Sequence, residues 1–426
     1  MTENNNNDQF NADELEAPKW LNAQFIAKVL SKYENEPQLE VLDLKISPAS
    51  AKGDHYASVM FRTSVEYKTG KGKLSKSLIV KTMPEQEGHK KDMLNESHLF
   101  ETEIGMYGDV LPRFEKILQG VGDTAKLYVP CIYNSLEPRQ VLIFDDLVPL
   151  GYSVMRYREL TIEELHCTYS KLAKWHAVSM KVQNEEPEYL KEYKYGLIEM
   201  PNLMEDPMMT TGMDNFLLFL NEHPSLAKYI PYFEKIKGNY LEKIAEFMTE
   251  YRRNPRDNAY YVLSHGDFHI RNMMFKHDKE TGNLQDCMLV DFQICNLCPI
   301  TVDIVYSIYM LMGPEERAKD WENILNYYFS ILLETLKKIG YKGDFPTLKG
   351  FWKQIYRSKY FGKIFTFFLA TTFLPMMWAM KSNTIDFGEV AQKNEARLKC
   401  YQIEGYVEDM TTILARFERL GYFDDI

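Results

Sequence analysis

LSHGDFHIRNMMF, residues 263–275, is the stretch on which the fold of this chain turns. The apolar run AYYVLS (259–264) enters a corner at His265, Gly266 and Asp267, and Asn272 follows the aspartate by five residues. The pattern is H-x-D-x-x-x-x-N. A loop of this kind presents one carboxylate to an acceptor hydroxyl and, about one turn later, an amide oxygen to a metal ion on the same phosphate. A second apolar strand, DCMLVDF (286–292), is expected to run through Asp291. It brings an oxygen ligand suited to Mg²⁺, which prefers carboxylates together with phosphate oxygens. A base (Asp267), an amide ligand (Asn272) and a carboxylate ligand (Asp291) therefore come in the order that phosphoryl transfer requires. Singly, each has a plain explanation as turn cap, loop support or strand end. Their order, and the apolar strand before each acid, are what those explanations leave out.

Working toward the N-terminus, the apolar positions Ala57, Val59, Phe61, Val65 and Tyr67 alternate with Ser58, Arg62, Ser64 and Glu66, the period-two pattern of a half-buried strand. TGKGK (69–73) reads as a hairpin turn and SLIVKTM (77–83) as the returning strand. Lys81 shares a face of that strand with Ile79 and Met83, and a lysine on an apolar face requires a partner. A long helical pattern from about Asp92 to Leu118 carries Phe100, Glu103, Tyr107, Val110 and Leu111 on one stripe, so Glu103 is the carboxylate on an apolar face. Pairing Lys81 with Glu103 satisfies both. Two further strands are expected in KLYVPCIY (126–133) and QVLIFDDL (140–147). Only Gly53, in PASAKGDH, offers a phosphate-covering loop, and an ordinary hairpin loop fits it equally. Asp145 and Asp146 close this section, where adenine would meet backbone groups; capping of the chain is the other reading of them.

An amphipathic helix is expected before the strands, at 20–33, and a helix from Thr161 to about Val182 after them, with Thr161 as N-cap and Glu164 as its capping-box partner. The rest is dominated by helical periodicity. The expected plan is α+β with two lobes: a disordered tail at 1–17, a β-rich nucleotide-binding lobe at 18–147 and a helical catalytic and substrate-binding lobe at 148–426. His176 falls on the apolar face of Leu165, Tyr169, Leu172, Ala173 and Met180 and reads as a hydrogen-bonded core histidine. IFTFFLATTFLPMMWAM (364–380) is apolar but short for a membrane span and contains Pro375, so a buried helix is expected. The stretch 360–380 can line an apolar pocket or be plain core.

The chain has 426 residues, 45% hydrophobic content and a formal net charge of -11, which suits a sizeable core and argues against nucleic acid or an anionic membrane as partner. Six scattered cysteines are too few for a disulfide framework and point to a cytoplasmic, reducing setting. The first residues lack a basic segment and an apolar stretch, so no leader is expected.

LIVKTMP at Lys81, F-x-x-E-I-x-x-Y at Phe100, Glu103, Ile104 and Tyr107, LAKWHA from Leu172, HGDFHIRN and VDFQ together resemble the ecdysteroid kinase-like (CHK kinase-like) family, related to choline kinases and aminoglycoside phosphotransferases. The likeness covers nearly everything after the tail. It implies a protein-kinase-like fold and ATP- and Mg²⁺-dependent phosphorylation of a small-molecule hydroxyl, with ecdysteroids as the named acceptor. It implies Asp267 as base, Asn272 and Asp291 on Mg²⁺, and Lys81 with Glu103 orienting the α and β phosphates. Asp303, twelve residues after Asp291, resembles an aspartate that braces the catalytic loop; as a plain charge at a helix N-terminus it would serve equally.

Rival readings leave more unexplained. HGDFH also spells an H-x-D-x-H metal run (His265, Asp267, His269), but as a metallohydrolase the chain has no role for Asn272, Lys81 or Glu103. A protein kinase needs an activation segment, and the run from Asp291 to Asp303 has no room for one. A choline-type kinase, or a nucleotide-binding pseudokinase, remains the alternative.

Overall fold

The computed structural model describes residues 15–49, 58–85, 89–200, 203–253, 259–357, 361–385 and 387–424. The chain divides into two compact units: Met1–Arg113 with Lys126–Ser153 and Met288–Gln293, and Phe114–Ala125 with Val154–Cys287 and Ile294–Ile426. The first holds an antiparallel sheet, the second is mainly helical, and the chain is α+β.

Five strands build the sheet: β1 (Glu40–Pro48), β2 (Val59–Thr69), β3 (Gly72–Thr82), β4 (Cys131–Ser135) and β5 (Val141–Asp145), in the order β1-β2-β3-β5-β4. Every neighbouring pair is antiparallel. The expected alternation along β2 is present: Val59, Phe61, Val65 and Tyr67 are buried, while Ser64, Glu66 and Lys68 are exposed. Residue 57 lies outside the described residues. Leu78 and Val80 of β3 join Val59, Phe61 and Val65 in a core closed by Ile26, Val29 and Leu30 of the helix Ala23–Tyr33, which Asn22 caps. Because strand side chains alternate, Lys81 and Ile79 emerge on the opposite face.

Three expectations need correction here. The helix expected over 92–118 is broken into His89–Glu96, Leu99–Gly105, a π-helical turn at Met106–Val110 and Leu111–Gln119. Ser97 Oγ donates to Leu94 O at 2.9 Å and His98 has non-helical dihedrals, so a local side-chain bond wins at the break. KLYVPCIY is strand only from Cys131, since Pro130 has no N–H to give a ladder. Upstream of it Tyr128 makes one isolated parallel bridge, to Leu289. The strand expected through Asp291 stops at Leu289 (Leu284–Leu289), and Asp291 sits beyond it at φ 66°, left-handed backbone that non-glycine residues seldom adopt.

In the second unit the helix Ile162–Glu185 begins as its sequence predicts, with Thr161 as N-cap and a reciprocal capping box to Glu164. It packs against the helix Trp321–Lys338 and holds the strand Tyr261–Ser264, whose Leu263 receives Trp175 Nε1–H at its carbonyl (2.5 Å) and gives its N–H to Ser179 Oγ (3.1 Å). That strand pairs antiparallel with Asn296–Pro299. The apolar segment Lys363–Ser382 is long and apolar enough to cross a membrane, and 67% of its most apolar window is buried inside the protein. A π turn at Leu369–Phe373 lets Pro375 fall at the start of the next helical stretch, where its missing N–H costs little.

Glu164 is also an electrostatic staple. It accepts two bonds from Arg158 (2.5 and 2.7 Å), the Thr161 N–H (2.7 Å) and a bond from His277 (2.9 Å). Burial pushes its pKa up, but these donors outweigh burial and hold it below the usual carboxylate value. A carboxyl depressed in the folded state adds stability above its unfolded pKa and loses it as pH falls through the folded one. Between about pH 6 and about pH 3 the urea midpoint should therefore fall further for the wild type than for Glu164→Gln. Parallel pH curves for the two proteins would remove this role.

Candidate active site

Lys81 stands on β3, at the centre of the sheet, opposite Met60 of β2 and Leu142 of β5. Only 4% of it is exposed. Its Nζ donates to Glu103 Oε2 at 2.6 Å and to Asp291 Oδ1 at 2.7 Å. The pair that periodicity predicted is present, and Asp291 joins it from a third stretch of chain. Burial works against the ammonium, but the carboxylates of Asp291 and Glu103 outweigh it and hold Lys81 above its ordinary pKa. For Glu103 burial dominates, helped by Asp291 and opposed by Lys81, and the carboxyl is pushed up to about 7. Two carboxylates face one ammonium, so the fully ionised triad has net negative charge. Asp291, with 30% of its side chain exposed, is the member open to a further cation. Hard oxygen donors with an unmet negative charge suit Mg²⁺. Strained backbone at a non-glycine residue persists where the surroundings over-determine it, commonly at functional sites.

The second unit supplies the loop. Gly266 has φ 82°, and a Cβ there would lie 2.4 Å from Ile294 O, so only glycine fits the corner. Asp303, wholly buried on the helix Thr301–Met310, accepts the His265 N–H at 2.7 Å and the Gly266 N–H at 2.9 Å. It also lies 3.1 Å from His176 Nε2, whose other ring nitrogen is 2.6 Å from the Tyr328 hydroxyl. A carboxylate can only accept, so Nε2 bears the proton and Tyr328 donates to Nδ1. His176 is thus the core histidine its helical face predicted, and Asp303 braces the loop through its backbone.

Asp267 emerges from this braced corner. The Tyr306 hydroxyl donates to its Oδ1 at 2.5 Å, and Asn272 Nδ2 donates to its Oδ2 and its carbonyl, each at 3.0 Å. His269 Nε2 is 3.4 Å from Oδ2, and its Nδ1 accepts the Arg271 N–H at 3.1 Å. Burial alone would raise the Asp267 pKa. His269, Tyr306 and His265 reverse this and hold it well below the usual carboxylate range. Burial and the adjacent Asp267 drive Tyr306 far above the usual tyrosine pKa, so it stays a donor. With its amide nitrogen committed to Asp267, Asn272 has its amide oxygen left as the donor a hard metal ion would use. The His265 ring is 1% exposed and packs against Trp175 and Phe268, in the core rather than on a metal-facing surface.

Gly53 lies outside the described residues. Asp145 is ion-paired with Lys76 at 3.3 Å. Asp146, the more buried of the two, accepts Arg62 Nε at 2.7 Å, Ser77 Oγ at 2.8 Å and the Val148 N–H at 3.1 Å, which ties down the chain after β5. Tyr306 was not among the residues the sequence singled out. Its one signal was position: three residues after Asp303, hence on the same side of one helix.

A sheet lysine paired to a helix glutamate, an H-x-D-x-x-x-x-N loop on a braced corner and a DF turn define a kinase-like chain. It belongs to the ecdysteroid kinase-like family, whose family model matches residues 52–341. No curated protein matches the sequence. Among solved structures it is similar to choline kinase from Cryptosporidium parvum Iowa II, at 11% identity over 93% of this chain and 97% of that one, with a TM-score of 0.43. It is also similar to a protein assigned as an aminoglycoside phosphotransferase from Ralstonia eutropha JMP134, at 12% identity over 90% and 98% of the two chains and a TM-score of 0.38.

Proposed function

We propose that this protein is a cytoplasmic kinase that transfers the γ-phosphoryl group of ATP, with Mg²⁺, to a hydroxyl of a small molecule. The family name suggests an ecdysteroid or another apolar alcohol as acceptor. The observation that carries the reading is the buried pair of Lys81 and Glu103 joined by the partly exposed Asp291. A buried ion cluster is rarely the most stable filling for a core, since apolar residues of the same volume do as well or better, so its retention calls for a chemical reason. Bound Mg·ATP supplies the phosphoryl group and the divalent charge that offsets it. In this reading Lys81, steadied by Glu103, holds α and β phosphate oxygens, and Asn272 and Asp291 hold the metal. Asp267, ionised at neutral pH, orients the alcohol and takes its proton late, as a loose transition state requires. Asp303 is a positioning residue that acts through the backbone of the loop. The net charge of -11 fits a small-molecule partner better than nucleic acid or membrane.

Asp291→Ala should weaken Mg·ATP binding by about tenfold or more, roughly 1.4 kcal/mol, while nucleotide binding measured without the metal changes little. Calorimetry with and without Mg²⁺ reads both. Equal losses in the two conditions would take Asp291 off the metal. Tight nucleotide binding with no transfer to any alcohol would mean a nucleotide sensor instead of an enzyme.

A further inference from the structure

The sulfurs of Cys167 and Cys287 lie 3.2 Å apart, although 120 positions separate them in sequence. Cys167 belongs to the helix Ile162–Glu185 and Cys287 to the strand Leu284–Leu289. A second contact ties the same two elements. Lys171, one helical turn beyond Cys167, donates from Nζ to Asp286 Oδ1 at 2.6 Å, and Asp286 immediately precedes Cys287. This ion pair fixes the spacing of the helix and the strand from which the two thiols project. A disulfide is about 2.05 Å long, so closing the pair asks the sulfurs to approach by about 1.2 Å.

The two thiols are unequal. Cys167 is partly exposed, whereas Cys287 is fully buried. The hydrogen bond from the Cys287 thiol, with help from the Lys171 ammonium, outweighs burial and holds the Cys167 pKa below that of an ordinary thiol. The same contact, together with burial, drives Cys287 well above it. Thiolate is the reactive form of cysteine, and reactive thiols sit partly exposed beside a cation. Oxidation-sensitive thiols combine that setting with a second cysteine at close range. Cys167 has the features of the attacking thiol and Cys287 those of the one that resolves it.

The sequence alone draws the eye elsewhere, to the C-x-x-C run of Cys295 and Cys298. Those two are 0% and 2% exposed, and buried thiols are inert. Burial pushes Cys131 up to about 11 and Cys400 up to about 12.

We propose that Cys167 and Cys287 are a modification site, a thiol pair that peroxide closes to a disulfide and a thiol reductant reopens. The Cys167 thiolate attacks hydrogen peroxide and the O–O bond breaks. One oxygen stays on sulfur as a sulfenic acid, and the other leaves as hydroxide. The Cys287 sulfur then attacks the sulfenic sulfur, the S–S bond forms and the S–O bond breaks. The Cys287 proton and the sulfenic hydroxyl leave together as water. The two sulfurs give up two electrons, which peroxide takes. Cys287 needs no path to solvent for this, because its partner is already within reach. In a reducing setting such disulfides are transient and report oxidation, and this one would pin the helix to the strand that leads, four residues on, to Asp291. The site does not depend on the chain's being a kinase.

The test uses the full chain, reduced, freed of reductant and treated with hydrogen peroxide. Remaining thiols are alkylated and the protein is digested without reduction for mass spectrometry. The expected product is a peptide pair joined through Cys167 and Cys287, released by dithiothreitol, with Cys295 and Cys298 alkylated as free thiols. Without peroxide, iodoacetamide at neutral pH should modify Cys167 about tenfold or more faster than the partly exposed Cys131. Cys287→Ser, confirmed as folded by a cooperative thermal transition, should leave a sulfenic acid on Cys167 that dimedone traps. Cys167→Ser should give neither the link nor a trapped Cys287. A link that forms only after urea has unfolded the chain overturns the proposal. So does Cys167 ending as sulfinic acid while Cys287 is still alkylated, or a disulfide between Cys295 and Cys298 in its place. Trapping on Cys287 instead of Cys167 reverses the order of attack and overturns the assignment of the two roles.

Discussion

Asp267→Asn is expected to lower kcat by about 10² to 10⁴, the usual contribution of a positioned general base, and to leave Mg·ATP affinity within about twofold. The replacement keeps the size and planarity of the side chain and removes its charge and its ability to take a proton. In the wild type Tyr306 and Asn272 fix both carboxylate oxygens, and 19% of the side chain is open, so the group is aimed but still reachable. Its depressed pKa matters to the direction of the effect. A carboxylate that stays ionised through the neutral range is always ready as acceptor, yet it is a weak base and cannot strip an alcohol early. Its contribution is therefore orientation of the hydroxyl and late capture of the proton, which suits a transition state in which bond-breaking leads. Single-turnover phosphate transfer separates this from product release, and nucleotide calorimetry checks that binding is spared. A kcat within the error of wild type would end the assignment of Asp267 as base.

What could be read in advance was what is local in sequence. Asp267 and Asn272 are five residues apart, and the loop that joins them is short enough for spacing to encode its geometry. Lys81 and Glu103 were legible for another reason: strand and helix periodicity each placed a charge on an apolar face, and burial of one demands the other. Thr161 and Glu164 announced a helix start through a reciprocal bond three residues long. The unread features depend on distance or on a departure from a periodic pattern. Tyr306 meets Asp267 across 39 positions and His176 meets Asp303 across 127, and no local rule links them. The end of the strand at Leu289 and the left-handed turn at Asp291 went unseen because apolar content continues through Phe292, while the backbone is bent to put Asp291 against Lys81. At Ser97 a single side-chain bond ended a helix whose hydrophobic stripe ran on unbroken.

The brace behind the loop should be as costly to remove as the base itself. Asp303 has no exposed surface, and its two oxygens take up two backbone N–H groups and the ring N–H of His176. In Asp303→Asn one of those oxygens becomes an amide nitrogen, so a donor faces a donor in a site that water does not reach. Breaking a buried charged network of this kind costs about 3–5 kcal/mol, and the urea transition of the second unit should move down accordingly. The damage should travel along the backbone of the loop. Amide exchange at His265 and Gly266 should accelerate, and kcat should fall while the KM for ATP stays near wild type, because Asp303 touches neither nucleotide nor acceptor in this assignment. A residue that merely filled space would lower stability without changing kcat in the protein that remains folded. The brace is therefore tested by the combination: a variant that loses stability yet keeps full turnover and slow exchange at those two amides would reduce Asp303 to a core residue, and the loop would need another explanation for its geometry.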